Sequence, residues 1–345
     1  MDSKISSLRL PSNHLASSLH PYLFLRDIYA KNPRGTYFLV VANELEAQDY
    51  QEDLVVLGDL LGINLPGIEV LPDEDSAGRC WVLTQLIRGR AQIMIATSYG
   101  VDKPTVSKKT LTDQCFAIAV DQRIGRDELA NKLIAAGFKH VDFVESVGEL
   151  AWRGQVLDVF SLGTGNALRV LFEFDRVESI RFFDVASQES LDPVIRADIV
   201  GVKETPEVSV LEVAGKGVRV VSSSEEMAES NLAFNPVYQG NLNIFLKDAQ
   251  KVQDQSYEIK VVASTPGEAE RFRELLEGNA QAKDLNFHQH FGHLSRGIRD
   301  DAKKLWIVTT GEIFARVGTR LARAPVKKQK PRLSKSYFER VARNF

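Results

Sequence analysis

The stretch SVGELAWRGQVLDVFSLGTGNALRVLFEFDRVESIRFFD, residues 146–184, decides most of the fold. Apolar and polar residues alternate in three runs that short turns separate, which is the pattern of half-buried β-strands. In the middle run, one face is apolar and consists of Leu168, Val170, Phe172 and Phe174. The other face is mixed and consists of Arg169, Leu171 and Glu173. We predict a turn at Asp175-Arg176 and a small antiparallel sheet whose mixed face suits either a docking surface or ordinary contact with solvent.

The same segment resembles a known domain family. The pattern G-E-x-A-x-R-G-x-x-L-D-x-F begins at Gly148, R-x-x-F begins at Arg169, and ESIR and FFD follow. This spacing is similar to the second domain of the nucleotide-excision-repair protein UvrB, and more similar to the same domain of bacterial transcription-repair coupling factors. The resemblance is specific over residues 124–184, moderate over 305–316 and weak over the first hundred residues.

The resemblance implies that this domain binds UvrA, the ATPase that recognises DNA damage, and that two arginines carry the contact. The matching residues are Arg153, in the R-G pair, and Arg169, at the start of the second strand. Leu171 and Glu173 join the predicted contact because they share a face with Arg169. The guanidinium group suits such a role because it binds carboxylates in a bidentate manner and is often an interface hot spot. The alternative is that Arg153 stabilises a turn and that Arg169 is a solvated strand residue.

One position departs from the family pattern. The family has two consecutive aromatic residues, in a pattern like R-x-x-F-F, and this chain has Glu173 at the second of them. If that aromatic residue is an interface anchor, its replacement by Glu removes about 1–3 kcal/mol of binding. Two explanations stay open. Either the UvrA partner carries a compensating basic residue, or Leu171 or Phe174 becomes the anchor through a local bulge.

The resemblance also implies an α/β fold of several parts. Strands alternate with helices in the first hundred residues, which predicts a parallel sheet. The patterns predict helices at Glu44–Leu61 and Pro266–Glu277, with Thr265 as the N-cap of the second, and a buried strand at Leu305–Thr309. The predicted parts are a degenerate RecA-like domain at 1–114 and 194–222, an inserted small α+β UvrA-binding domain at 115–193, a third α/β domain at 230–316 and a basic linker at 317–345.

The motif of a motor ATPase is missing from the sequence. A P-loop needs G-x-x-x-x-G-K-[ST], and the place where one would lie, residues 8–23, reads LRLPSNHLASSLHPYL, without Gly or Lys. Gly215-Lys216-Gly217 lacks the hydroxyl residue, and we predict a hairpin turn there. Residues 68–75, IEVLPDED, imitate a Walker B strand and its acids, but we interpret them as a loop because no phosphate cradle accompanies them. We therefore predict that this chain is not an enzyme and holds no cofactor.

The sequence contains one cluster of possible metal ligands and two cysteines. His288, His290 and His293 form H-x-H-x-x-H, a spacing that could bind zinc. No Cys lies near them and a fourth ligand is missing, so we predict no metal site there. Cys80 and Cys115 lie in apolar surroundings, which predicts buried free thiols rather than a disulfide.

The charge is unevenly distributed. The net charge is −3, yet residues 316–345 hold ten Lys and Arg residues and one Glu. This basic tail predicts a flexible linker, and its alternative interpretation is a weak contact with DNA phosphates. No apolar run approaches the ~20 residues of a membrane span. The start, MDSKISSLRLPSNHL, has no apolar signal core, so we expect a cytoplasmic protein without a membrane partner.

Three functional hypotheses follow. In the first, which the resemblance implies, the chain is the UvrB-like N-terminal part of a transcription-repair coupling factor and recruits UvrA in transcription-coupled nucleotide excision repair. RNA polymerase and DNA would then bind regions that are missing from this chain. In the second, the chain is a DNA-binding or DNA-remodelling module that acts through the basic tail. In the third, it is a fragment of an ATP-driven DNA translocase whose motor lies elsewhere in the full-length protein.

Overall fold

The computed structural model describes residues 21–222 and 232–314. Two regions lie outside the described residues. They are the basic tail at 316–345 and most of the place where a P-loop would lie, residues 8–20. The described residues form two compact units. The first unit comprises residues 33–47 and 66–222, and the second comprises residues 21–32, 48–65 and 232–314.

The elements are numbered in chain order. The strands are β1 Tyr37–Val41, β2 Gly67–Val70, β3 Ala91–Thr97, β4 Phe116–Ala119, β5 Lys139–His140, β6 Glu149–Arg153, β7 Val156–Val159, β8 Ala167–Glu173, β9 Arg176–Phe183, β10 Ser190–Val194, β11 Arg196–Ile199, β12 Arg219–Ser222, β13 Leu232–Phe234, β14 Glu258–Ala263, β15 His288–Phe291, β16 Ile298–Asp300 and β17 Leu305–Thr309. The helices are α1 Pro21–Leu23, which continues as π and 3₁₀ turns to Lys31, α2 Glu44–Leu61, α3 Ser76–Ile87, α4 Ser98–Asp102, α5 Lys108–Asp113, α6 Arg126–Ala135, α7 Val210–Ala214, α8 Leu242–Asp254, α9 Pro266–Glu277 and α10 Thr310–Phe314.

A parallel four-stranded sheet opens the first unit, in the order β12-β1-β3-β2. The central strands read YFLVV and AQIMIAT and are largely buried, as expected for a parallel sheet covered on both faces. The chain leaves this sheet after β3 and returns to it at β12, beside β1. The prediction of a parallel sheet in an α/β protein is therefore confirmed.

The predicted hairpin turn at Gly215-Lys216-Gly217 is wrong. Gly215 and Gly217 have φ angles of +85° and +89° and connect the end of α7 to β12. Glycine at a positive φ is a common way to end a helix. Because a helix rather than a strand precedes this turn, a β-hairpin is excluded at this place.

A six-stranded sheet forms the inserted part of the first unit, in the order β10-β9-β8-β7-β6-β5. All its pairs are antiparallel except that of β5 with β6. One face packs on α6, and its core contains Leu129, Leu133, Leu157, Val170, Phe172 and Ile180. Beside it, β4 and β11 pair as a separate antiparallel ribbon. The prediction of a small antiparallel sheet with one buried face is confirmed.

The end of β8 differs from the prediction. The turn lies at Phe174-Asp175, and Arg176 opens β9 opposite Glu173. Phe174 is therefore not part of the apolar face, and 87% of it is exposed at a φ of +55°. The prediction failed because alternation holds only while the strand continues, and β8 ends one residue before Phe174.

A buried arginine connects the segment after the inserted part to the loops of the first sheet. Arg79 on α3 is fully buried, and its Nε donates to Glu204 Oε1 at 2.6 Å. Its Nη1 donates to the carbonyl oxygens of Pro72 and Gly100, both at 2.9 Å. Such a charge is tolerated in a protein interior because it is paired and hydrogen-bonded.

The second unit contains a mixed five-stranded sheet in the order β13-β16-β17-β14-β15. Its core contains Phe245, Phe272, Ile259, Val308 and Trp306. The predicted helix at Pro266–Glu277 and strand at Leu305–Thr309 are confirmed, and the Thr265 side chain accepts a hydrogen bond from the amide of Glu268 as an N-cap does. Within the two described ranges, no helix is long and apolar enough to cross a bilayer.

Candidate docking face of the inserted sheet

The mixed face of the six-stranded sheet brings the predicted contact residues together in adjacent rows. In one row, Arg153 pairs with Val156, Val156 with Leu171 and Leu171 with Ser179. Side chains directly opposite one another in an antiparallel sheet are about 5 Å apart. The row therefore places Arg153 and Leu171 on one surface, across three strands.

The next row contains Arg169. Across it, Ala151 pairs with Asp158, Asp158 with Arg169 and Arg169 with Arg181. Both rows alternate with the buried row of Leu157, Val170 and Ile180. The prediction that Arg169 and Leu171 share the face opposite the apolar one agrees with the burial pattern of β8.

Arg169 is held by several groups of its own domain. Its Nε and Nη2 donate to the two carboxylate oxygens of Asp158, at 2.8 and 2.9 Å, and its Nη1 donates to the carbonyl oxygen of Gln188 at 3.0 Å. The guanidinium group also lies 4.7 Å from the centre of the Phe183 ring. The hydrogen bonds to Asp158 raise the pKa of Arg169 against the opposing effect of burial. Most of the hydrogen-bonding capacity of Arg169 is thus used inside the domain.

A second small core covers this part of the mixed face. It consists of the buried residues Val144, Ala151, Ala167 and Phe183 and the partly buried Val141, Phe160 and Val185. Val141, Val144 and Val185 come from the connections before β6 and after β9 rather than from the strands. We call Asp158, Arg169, Phe183 and these covering residues the clamped part of the face. The sequence pattern did not predict this cover. The signal for it was the presence of apolar valines in the connections between the strands.

Arg153 has a different environment. It is exposed, its Nη2 donates to the carbonyl oxygen of Asp142 at 2.6 Å, and its guanidinium lies 3.8 Å from the centre of the Phe143 ring. Phe143 is itself 54% exposed. Among the described residues Arg153 makes this one hydrogen bond, so the stacking orients the group and leaves most of its donors available.

Glu173 is exposed and lies at the end of β8. Its carboxylate pairs with Arg176 at 2.6 Å, and Arg176 also contacts Asp121 at 3.1 Å. Ion pairs this exposed contribute little to stability. We call Phe143, Arg153, Val156, Leu171, Glu173 and Phe174 the open part of the face.

A β-bulge interrupts the β8–β9 hairpin where the register shifts between Leu171 and Phe172. Leu171 pairs with Ser179 and Phe172 with Val177, so Glu178 is the extra residue. A bulge bends the strand that contains it and re-aims nearby side chains. The local bulge expected in one explanation of Glu173 is present, whereas the anchor role of Leu171 or Phe174 stays a prediction.

The other sequence candidates lie apart from this face. His288 and His290 lie on β15 and His293 follows it, and no group of three or more His, Cys, Asp or Glu residues in the described ranges is arranged to hold a metal ion. Cys80 and Cys115 are free thiols; Cys80 is buried, which raises its pKa to about 12, and Cys115 is only half-buried.

The interpretation of residues 68–75 as a loop is wrong for Ile68–Val70, which belong to β2 because they pair with β3. The acids that follow β2 are engaged with protein groups. Asp73 accepts a hydrogen bond from the hydroxyl of Thr97 at 2.6 Å. Glu74 accepts one from the hydroxyl of Tyr99 at 2.6 Å and one from Lys103 Nζ at 2.7 Å. These contacts connect the loop after β2 to the last residue of β3 and to the residues after it.

One face of this sheet is partly covered and carries an exposed patch of arginine, aromatic and aliphatic side chains, and arginine and aromatic residues are enriched at protein interfaces. Residues 116–204 match the family model described as the UvrB interaction domain. The chain is also similar to transcription-repair-coupling factors. That of Escherichia coli K12 is 28% identical over 184 residues, 51% of this chain and 16% of the relative. That of Myxococcus xanthus is 33% identical over 150 residues, 41% of this chain and 12% of the relative.

A third relative, the transcription-repair-coupling factor of Bacillus subtilis 168, is 27% identical over 175 residues, 48% of this chain and 15% of the relative. The predicted resemblance to the UvrB-like region of these factors is thus confirmed over about half of the chain. The chain spans roughly one-eighth to one-sixth of the length of these curated relatives.

Proposed function

We propose that this chain recruits UvrA in transcription-coupled nucleotide excision repair, through the open part of the mixed face. The observation that carries the proposal is the match of residues 116–204 to the UvrB interaction domain. The open part lies inside that match, apart from the buried core of the domain. It offers a cation, an aromatic ring and an aliphatic side chain on one surface, and arginine and aromatic residues are enriched at protein interfaces.

Arg153 is the direct contact in this proposal. Its guanidinium group is held in place by Phe143 and Asp142, so little side-chain entropy is lost when a partner carboxylate binds. Leu171, half-buried in the same row, provides apolar area two strands away from the cation, with Val156 between them. Arg153 and Leu171 therefore act as a charged and an apolar element of one contact.

Arg169 acts as a positioning residue. Its bidentate pair with Asp158 and its bond to Gln188 tie β7 and β8 to the connection after β9. Loss of Arg169 would weaken UvrA binding by loosening the face rather than by removing a contact. The resemblance assigns both arginines to the contact, and the different surroundings favour this division of roles.

The chain acts as a recruiting module without a motor of its own. The missing P-loop motif supports this proposal, and the four-stranded parallel sheet is compatible with a degenerate RecA-like domain. RNA polymerase binding and DNA translocation would belong to the five-sixths or more of the relatives that the match does not cover. An ATPase assay of the purified chain should give no turnover above buffer.

Co-purification with the cognate UvrA tests the recruiting function. The wild-type chain should retain UvrA, and the double variant Arg153→Ala/Leu171→Ala should lose it. Arg196→Ala is the matched control, since Arg196 is an exposed strand arginine of the same match, outside the face. Failure of the wild-type chain to bind UvrA would refute the proposal, and equal binding by the double variant would refute the site.

The second candidate function, a DNA-binding module, is favoured by the ten basic residues of the tail. Its signature is salt-dependent DNA binding that disappears when residues 316–345 are deleted. UvrA retention by the truncated chain would separate the two functions.

A further inference from the structure

The tip of the β8–β9 hairpin carries an exposed aromatic residue. Phe174 and Asp175 form the two-residue turn, and Glu173 and Arg176 close it as the last strand pair. Of the large apolar side chains in the described ranges, Phe174 is the most exposed, at 87%, followed by Ile195 at 82%. Its φ angle is +55°.

The fold itself does not favour phenylalanine at this place. Two-residue hairpin turns with a positive φ favour Gly, Asn or Asp, because bulky side chains are strained in the left-handed region. An aromatic ring in solvent also gains none of the burial that normally stabilises such a side chain. Two unfavourable features therefore coincide at Phe174, and an outlier of this kind points to a function.

The turn is braced rather than loose. Arg176 pairs with both Glu173 and Asp121, and the amide of Asp121 donates to the carbonyl oxygen of Val177 at 2.9 Å. The amide of Val177 in turn donates to the carbonyl oxygen of Gln122 at 2.9 Å. A braced turn presents its aromatic ring at a low entropic cost to binding.

We propose that Phe174 is an aromatic anchor that inserts into an apolar pocket on UvrA. It lies three residues beyond Leu171 on the same hairpin and next to Glu173, which occupies the place where an aromatic anchor was expected. The hairpin thus offers a ring at its turn instead of on its last strand residue. This inference rests on the proposed recruiting function and specifies its apolar contact.

The test is a titration of the cognate UvrA into the full chain and into four variants, one of which is Arg153→Ala. Phe174→Asn removes the ring and keeps a residue that tolerates a positive φ. Phe174→Tyr keeps the ring. Phe291→Asn is the matched control, since Phe291 is 62% exposed in the second unit. The melting temperature and the sedimentation of each chain are measured in parallel.

We expect Phe174→Asn to bind UvrA about ten- to thirtyfold more weakly than the wild type, with an equal or higher melting temperature. Phe174→Tyr and Phe291→Asn should bind within about twofold of the wild type. Wild-type affinity in Phe174→Asn, together with weaker binding by Arg153→Ala, overturns the anchor and leaves the recruiting function intact. Loss of self-association in Phe174→Asn with unchanged UvrA binding also overturns it, because the ring then contacts a second copy. No binding by the wild type overturns the recruiting function itself.

Discussion

The clamped and open parts of the mixed face lie in adjacent rows of one sheet, yet their arginines are used differently. Arg169 donates from its Nε, Nη1 and Nη2 to groups of its own domain, whereas Arg153, within the part of the chain that the structure describes, makes one hydrogen bond and stacks on an exposed ring. Both residues satisfy the same pattern in the sequence. The comparison teaches that the partners of an arginine, rather than the face on which it lies, distinguish a structural role from a contact role.

The difference has a simple physical origin. A bidentate pair with Asp158, whose side chain is only 15% exposed, stabilises the domain because both charges are satisfied in a partly dry setting. Arg153 is exposed, and its hydrogen bond to Asp142 and its stacking on Phe143 hold its guanidinium group. A solvated arginine can exchange water for a partner carboxylate, whereas Arg169 would first have to leave Asp158.

The largest expected effect is on the clamped part. Asp158 is largely buried, and Arg169→Ala removes the cation that pairs with it. The free energy of unfolding should therefore fall by about 1–3 kcal/mol. Denaturant unfolding measures it. The double variant Arg169→Ala/Asp158→Ala should regain part of the loss, because no unpaired charge remains. An Arg169→Ala chain as stable as the wild type would remove the distinction between the two parts.

The next effect is on the open part. Arg153→Ala should weaken UvrA binding about tenfold, since a cation and its stacked contact are lost, and change the unfolding free energy by less than about 0.5 kcal/mol. Titration and denaturant unfolding of the same sample measure both. A loss of stability as large as that of Arg169→Ala would show that Arg153 has a structural role, as the residues of the clamped part do.

Glu173→Phe sharpens the account of the missing aromatic residue. The exposed pair with Arg176 contributes little, so stability should change by less than about 1 kcal/mol. If the open part binds an apolar pocket, a second ring beside Phe174 should raise UvrA affinity up to about tenfold. A fall in affinity would instead favour a basic residue of UvrA opposite Glu173.

The smallest effect concerns salt. Glu173→Gln should change the unfolding free energy by less than about 0.5 kcal/mol, and 0.5 M NaCl should abolish even that difference. The coupling between Asp158 and Arg169 should persist in the same salt, because partly buried pairs are screened less. Double-mutant cycles at low and high salt compare the two. Equal screening of both pairs would contradict the description of Arg169 as clamped.

Local patterns in the sequence predicted much of this fold. Glu44–Leu61 and Pro266–Glu277 are helices with the bounds that caps and periodicity indicate. The alternation of Leu168, Val170 and Phe172 marked the buried face of β8 correctly. These features depend on residues that are close to one another along the chain, so local sequence patterns are enough to predict them.

The missed features depend on contacts that are distant along the chain. The cover of Arg169 comes from Val144 and Val185, which belong to different connections, so alternation within β8 carries no trace of it. Phe174 was assigned to the apolar face because the end of β8 is set by pairing with β9, including the bulge at Glu178. The pattern therefore placed the candidate contact residues on one face, but it could not separate the clamped part from the open part.

Hydrogen–deuterium exchange of the chain with and without the cognate UvrA tests the central claim most directly, because it maps the contact on the face. The account predicts slower exchange of the amides at 142–143, 153–156 and 171–175 when UvrA is bound. It predicts unchanged exchange at 186–190, beside the clamped Arg169. Protection at 186–190 or in the second unit, with none in the open part, would contradict it.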